Sequence, residues 1–178
     1  METNEKTQAI LENLLTRRSV RRYQSRQITD DELAAVLAAG SYAPTGMGKQ
    51  SPVIVAVQDA ATRAQLSALN AAVMGASGDP FYGAPTVVVV LADPQIPTWV
   101  EDGSLVLGNM MNAAHALGLG SCWIHRARQV FDGPQGKQLL QRWGLPQSLC
   151  GVGHCILGYA DGEPAAPAPR KEGYIHRV

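Results

Sequence analysis

The sequence predicts a single α+β domain, on three observations. The 178 residues are 46% hydrophobic and 17% charged, which suits one buried core and argues against a disordered chain. Helical and strand-like segments are interleaved, but not at the regular spacing of βαβ units. No repeat or linker-like composition divides the sequence. We therefore expect one domain over residues 1–178 rather than a doubly wound sheet.

In the first half of the chain, apolar residues repeat with a helical period in three segments and form unbroken β-branched runs in two. The helices are predicted over 7–17, 29–40 and 61–74, and the strands over 53–57 and 86–91. Thr29 followed by Glu32 is the capping-box pattern that begins a helix, and Gly40 marks the end of that helix. The glycines and prolines of 75–85 predict a loop.

The second half begins with an apolar helix over 99–117, whose hydrophobic residues face nearly every direction. Such a helix belongs in an interior, which in so small a chain includes a second subunit. Gly103 and Gly108 each cost about 1 kcal/mol relative to alanine in a helix, which predicts a close backbone approach at both. A strand over 119–124, a helix over 135–143 and a strand over 152–159 follow. The proline-rich tail 160–178 is predicted to be extended and to pack on the partner subunit.

Composition excludes several functional classes. Fifteen basic residues balance fifteen acidic ones, so no overall charge attracts nucleic acid or a membrane surface. No apolar run approaches the roughly 18 residues of a membrane span, and no secretory signal is evident. Three cysteines without a CxxC pair and four scattered histidines favour a reducing compartment and no metal site. We expect a cytoplasmic protein with no metal, nucleic-acid or membrane partner.

The most informative local feature is a run of basic residues after the first predicted helix. Arg17, Arg18, Ser19 and Arg21 fall within five positions, and in an extended chain Arg17, Ser19 and Arg21 share one face. Two guanidinium groups flanking a hydroxyl form a cradle for phosphate, because each planar fork binds two oxygens. The alternative is an exposed basic helix end stabilised by the helix dipole. The residues alone leave both interpretations open.

Three further segments carry groups suited to a flat ligand. The loop 43–52 holds Pro44, Thr45, Gly46 and Gln50, the segment 118–125 ends in Trp123, Ile124 and His125, and the tail holds Arg170 and Lys171. Glycine allows backbone to approach a ligand closely, and threonine and glutamine supply donors and acceptors. Taken singly, each segment has an ordinary structural explanation. The loop would simply join a helix to a strand, Trp123 and Ile124 would be core residues, and the basic pair in the tail would be solvated.

In combination and in this order, these segments resemble the FMN-dependent nitroreductase family over about residues 14–170. The shared pattern is the basic cluster, Ala-Pro-Thr at 43–45, Gly-Leu-Gly-Ser-Cys-Trp-Ile at 118–124 and Pro-Arg-Lys at 169–171. The resemblance implies a mostly antiparallel sheet flanked by helices, in an intertwined homodimer with FMN at the interface. It also implies that NAD(P)H reduces the flavin at N5 and that a nitroaromatic, quinone or flavin reoxidises it. A non-catalytic FMN carrier or flavin sensor, and a phosphate-binding interaction domain without flavin, are the alternatives.

The resemblance also implies a role for each matching residue. Arg17, Arg18, Ser19 and Arg21, with Arg170 and Lys171, would hold the FMN phosphate, and Pro44, Thr45, Gly46 and Gln50 would face the flavin ring of the partner subunit. Trp123, Ile124 and His125 would line the other side of the ring with a backbone N–H near N5, and Asn70 would contact its pyrimidine edge. No side chain is assigned a catalytic role, since the flavin supplies the chemistry. Gly48 replaces the Asn common in the family, so a hydrogen bond to the flavin edge is lost or is made by backbone or Lys49.

Overall fold

In the computed structural model, which describes residues 4–178, a four-stranded antiparallel sheet lies between two layers of helices. The strands are β1 (Pro52–Val57), β2 (Thr86–Ala92), β3 (Gly120–Ile124) and β4 (Cys150–Gly158), in the order β1-β2-β4-β3. Each neighbouring pair is antiparallel. The central strands β2 and β4 are buried almost throughout. The predicted α+β fold with an antiparallel sheet is confirmed.

The described residues form six α-helices, and five of them cover the two faces of the sheet. The six helices are α1 (Glu5–Thr16), α2 (Asp30–Ser41), α3 (Ala60–Met74), α4 (Trp99–Ala116), α5 (Ala127–Asp132) and α6 (Pro134–Arg142). One core cluster packs α3, α5 and α6 on one face, and a second packs α2 and α4 on the other. The predicted capping box is present between Thr29 and Glu32. Helix α5 has no counterpart among the predictions, because six residues are too few to display a helical period.

Helix α4 is buried on one side only. Leu107 and Met110 are fully buried, whereas Leu105 is 47% exposed. At Gly103 the predicted close approach is confirmed, since a Cβ there would lie 2.6 Å from a methyl group of Val152. At Gly108 the prediction is wrong for contacts among residues 4–178, because a Cβ there would meet nothing within 4 Å outside its own helix. Part of the apolar surface of α4 is therefore not covered by the described residues.

Helix α1 adds to this uncovered surface. It buries none of its residues, and Ile10, Leu11, Leu14 and Leu15 are all at least half exposed. The helix is tied to α4 by Asn13, whose Nδ2 donates a hydrogen bond to the backbone carbonyl of Asn112 at 3.0 Å. A cluster of exposed apolar residues on two adjoining helices is typical of a protein interface.

None of the helices between residues 4 and 178 has the length and apolarity to cross a membrane.

The chain that follows α1 runs along the edge of β3. The backbone N–H of Val20 donates to the carbonyl of Ser121 at 3.0 Å, and Tyr23 pairs with Ala160 in an antiparallel bridge. The segment 17–23 therefore lies between β3 and the start of the tail. The tail is exposed along its length, and residues 167–170 return beside the end of α1. Packing of the tail on a partner subunit stays a prediction.

Candidate functional site

A cavity of about 640 Å³ lies where the end of α1 meets the tail, and the charged residues that line it are all basic. It is lined by Arg17, Arg18, Ser19 and Arg170 together with apolar residues of α1 and the tail. Arg17 Nη1 is buried and has no hydrogen-bond partner among residues 4–178. None of the described residues that line this cavity is acidic. Three guanidinium groups thus surround a space that is suited to an anion.

The other two basic residues of the predicted phosphate site lie differently. Lys171 does not line this cavity, and its Nζ lies 5.5 Å from the ring centre of Tyr174. Arg21 lines a second cavity, of about 430 Å³, which Trp123 and His125 also line. The structure therefore brings Arg170 to the first cavity and Arg21 to the second.

The second cavity has the loop between α3 and β2 as its opposite wall. Asp79 fastens this loop: its carboxylate accepts from Ser67 Oγ at 2.6 Å and from the N–H groups of Phe81 and Gly83 at 3.0 and 2.8 Å, and it pairs with Arg63. Burial raises the pKa of Asp79, but the hydrogen bonds from Ser67 and Arg63 outweigh it and leave the pKa below its ordinary value. The loop predicted over 75–85 therefore forms one side of the cavity and is held there by the hydrogen bonds of Asp79.

Two buried side chains hold the backbone of Ile124 and His125, which also line the second cavity. Asn70 Nδ2 donates to the carbonyl of His125 at 2.8 Å, and His154 Nδ1 lies 3.3 Å from the carbonyl oxygen of Ile124. Asn70 and His154 are both fully buried. Asn70, proposed from the sequence as a ligand contact, thus bonds directly to the backbone of His125. His154 had no predicted role, and its isolated position in the sequence offered no signal for one.

Four of the predicted residues form part of a loop that is separate from both cavities. Of the described residues that line the two cavities, none belongs to the group Pro44, Thr45, Gly46 and Gln50. The loop contains a 3-10 turn over Gly46–Gly48, and Met47 at its tip is 83% exposed. Gln50 N–H donates to Thr45 Oγ1 at 3.0 Å, which closes the turn. The loop is an exposed projection of this chain.

The buried carboxylate of Asp102 on α4 anchors that projection. It accepts hydrogen bonds from the Gly46 N–H at 2.9 Å, from Thr98 Oγ1 at 3.2 Å and from Ser51 Oγ at 3.3 Å. Gly46 is required at this contact, because a Cβ there would overlap Thr98 Oγ1. Sequence reasoning missed Asp102, since an acidic residue in the first turn of a helix is ordinary.

Replacing Asp102 with asparagine is expected to lower the free energy of unfolding by about 1–3 kcal/mol, because the amide NH₂ of asparagine opposes at least one of the three donors. Urea denaturation would measure this loss, and limited proteolysis would show cleavage within 44–51. The matched control is Glu101→Gln, which removes the same charge from an exposed neighbour on α4. Equal losses in the two variants would contradict the anchoring role.

Known proteins resemble this chain over most of its length. The model of the Nitroreductase family matches residues 14–159. A curated protein of Archaeoglobus fulgidus, provisionally named NADH dehydrogenase/NAD(P)H nitroreductase, is 31% identical over 159 residues, which cover 86% of each chain. FMN reductase (NAD(P)H) of Bacillus subtilis is 24% identical over 94% of this chain and 73% of its own. The crystal structure of a nitroreductase with bound FMN from Bacteroides fragilis matches with a TM-score of 0.89 at 32% identity, over 99% of this chain and 100% of that chain.

Proposed function

Because the chain belongs to the nitroreductase family, we propose that it is an FMN-dependent oxidoreductase that takes electrons from NAD(P)H and passes them to a nitroaromatic, a quinone or a flavin. The observation that carries the proposal is the pair of cavities bordered by one segment, residues 17–21. The first cavity is basic and suits a phosphate, and the second has a tryptophan and exposed backbone and suits a planar ring. FMN has one such group at each end.

The basic cavity fits the phosphate end of the cofactor. Arg17 Nη1 is a buried donor without an acceptor within residues 4–178, and a buried donor of this kind is costly unless a ligand satisfies it. Arg17, Arg18 and Arg170 would hold the phosphate, with Ser19 as a further donor. Each charge-assisted hydrogen bond contributes roughly 1.5–3 kcal/mol, so a few of them suffice for tight retention.

The second cavity fits the ring. FMN bound there would supply the hydride chemistry between NAD(P)H and the acceptor. Arg21 places a positive charge at this cavity, which favours the negative charge that develops on reduction. The His125 N–H, which has no acceptor among the described residues, is available to the ring edge. No side chain of this cavity is needed to donate or remove a proton in the hydride step.

We further propose that two copies form a homodimer in which the 44–51 loop of the partner completes the ring site. The exposed apolar residues of α1 and the open surface at Gly108 supply an interface. The anchored loop projects from its own chain without lining either cavity, which suits a contribution to a neighbouring subunit. Obligate dimers of this kind typically bury more than about 2,000 Å².

Glutamate at Gly108 is expected to convert the dimer into monomers that lose FMN. Among the described residues, a Cβ at Gly108 meets no atom within 4 Å outside its own helix, so the substitution leaves the monomer fold intact and places a charge in the interface. Analytical ultracentrifugation would report the mass against the 19.0 kDa of one chain. The control Gln135→Glu adds the same charge at an exposed position of helix α6 and is expected to remain dimeric. A dimeric Gly108→Glu protein with full FMN content would overturn this interface.

The test of the function is a visible spectrum of the purified protein, followed by anaerobic addition of NADPH or NADH. A flavin spectrum that bleaches with either donor supports the oxidoreductase and identifies that donor. A flavin spectrum that neither donor bleaches would refute it in favour of a flavin carrier or sensor. A protein that stays colourless after reconstitution with FMN would refute the flavin site itself.

A further inference from the structure

His154 occupies a position where packing alone favours an apolar residue. It is fully buried on the central strand β4, and its ring lies 5.2 Å from that of Phe81 and 6.4 Å from that of Phe131, measured between ring centres. Its Nε2 has no hydrogen-bond partner among residues 4–178. A buried polar atom without a partner costs free energy. Packing alone therefore does not explain a histidine at this position.

Its Nδ1 contacts the peptide that joins Ile124 to His125. A carbonyl oxygen only accepts, so Nδ1 carries the proton and donates to the Ile124 oxygen, 3.3 Å away. Burial lowers the pKa of His154 to about 4, which keeps the ring neutral and this tautomer in place. The Ile124 carbonyl and the His125 N–H belong to one planar unit. Fixing the carbonyl therefore also fixes the direction of the N–H.

Two independent observations mark the backbone that follows this peptide. The carbonyl of His125 is held by the buried Asn70 at 2.8 Å, so both peptides flanking the His125 Cα are held by buried side chains. Arg126 follows with a φ of 74°, a left-handed conformation that is uncommon for a residue with a side chain and persists only when its surroundings impose it. At the centre of this arrangement, the His125 N–H is left without an acceptor in the described part of the chain.

We propose that His154 is a positioning residue that holds the Ile124–His125 peptide so that its N–H is presented to the ring of the bound flavin. This inference rests on the proposed function. His154 does not touch the cavity: among the described residues, the cavity is lined by Ile124 and His125 and not by His154. It acts from the sheet, through one hydrogen bond, on a group that does reach the cavity.

The test compares His154→Leu with His154→Asn. Leucine fills the apolar site but has no donor, whereas the Nδ2 of asparagine lies near the place of Nδ1 and retains one. Stability should therefore rank leucine above asparagine, while ring binding should rank asparagine above leucine. Riboflavin, which carries the ring without the phosphate, is the probe. We expect the apoprotein of His154→Leu to bind riboflavin about tenfold more weakly than wild type, with a shifted flavin absorption band, and His154→Asn to recover most of both.

Three outcomes are distinguishable. Wild-type protein that binds neither FMN nor riboflavin would refute the proposed function. Wild-type binding with variants whose affinities simply follow their stabilities would refute the positioning role and leave the function standing. Ile156→Val, two residues along the same buried strand, is the packing control and is expected to lose stability without changing the absorption band. If His154→Leu fails to fold, His154→Phe keeps an aromatic ring without a donor and gives the same comparison.

Discussion

Alanine at both Arg17 and Arg170 is expected to abolish tight binding of FMN while leaving the binding of riboflavin nearly unchanged. The two side chains line the basic cavity from different segments, Arg17 directly after α1 and Arg170 in the tail. Neither takes part in an ion pair among the described residues, so their loss removes no internal salt bridge. Two charge-assisted hydrogen bonds contribute about 3–6 kcal/mol, which corresponds to a loss of roughly 10²–10⁴-fold in affinity for the phosphorylated cofactor.

The decisive quantity is the ratio of the riboflavin and FMN dissociation constants, measured on apoprotein by quenching of flavin fluorescence. Wild-type protein should prefer FMN strongly, and the double variant should scarcely distinguish the two ligands. Arg142→Ala, which removes an exposed arginine from α6, is expected to keep the wild-type ratio. If the double variant kept the wild-type ratio, the phosphate would have to bind elsewhere. An equal loss of both affinities would mean that the arginines support the fold instead of the phosphate.

The fold was predictable where its signals are local. The capping box at Thr29 predicts a helix and the β-branched run of β2 predicts a strand, each from a few consecutive residues. Both predicted elements agree closely with the observed bounds. Gly108 is a position where a local signal did not predict the contacts within the chain. The cost of glycine in a helix indicated a close approach, but no residue between 4 and 178 outside that helix would come within 4 Å of a Cβ at this position. A sequence does not distinguish contacts within one chain from contacts between two.

The site was predictable in composition and less so in arrangement. Arg17 and Arg21 were assigned to one phosphate on the assumption of a regular extended strand. The segment instead makes isolated bridges at Ser19 and Tyr23, and Arg21 turns to the cavity lined by Trp123. Alternation between the two faces of a strand is a reliable guide only where a continuous ladder holds the strand flat.

The residues that sequence reasoning missed act over long separations. Asp102 bonds to a loop 56 positions away, and His154 to a carbonyl 30 positions away. Neither residue belongs to a sequence motif. Each forms a hydrogen bond with a backbone group, and because every residue has the same backbone groups, the partner's residue type carries no signal. Only the fold brings such a side chain to its partner. The sequence therefore indicates the segments that we propose to bind the cofactor, but it does not indicate the side chains that hold those segments in place.

His154 should also make the folded protein sensitive to acid. Burial lowers its pKa from 6.5 to about 4 in the native state, whereas the unfolded chain regains the ordinary value. As the pH falls below about 6.5, the unfolded state binds a proton that the native state does not, so the free energy of unfolding falls until both states are protonated near pH 4. At 1.36 kcal/mol per pKa unit, this histidine accounts for about 3 kcal/mol of stability lost across that window.

Urea unfolding of apoprotein at a series of pH values would isolate this contribution by difference. His154→Leu removes the titrating group, so its stability relative to wild type should rise by about 3 kcal/mol as the pH falls through the window. Carboxylates such as Asp79 are present in both proteins, and their effects cancel in the difference. His176→Leu, at an exposed histidine of the tail, is expected to follow wild type. Parallel stability curves for wild type and His154→Leu would contradict a neutral, buried His154, because a group that titrates alike in both states contributes no pH dependence.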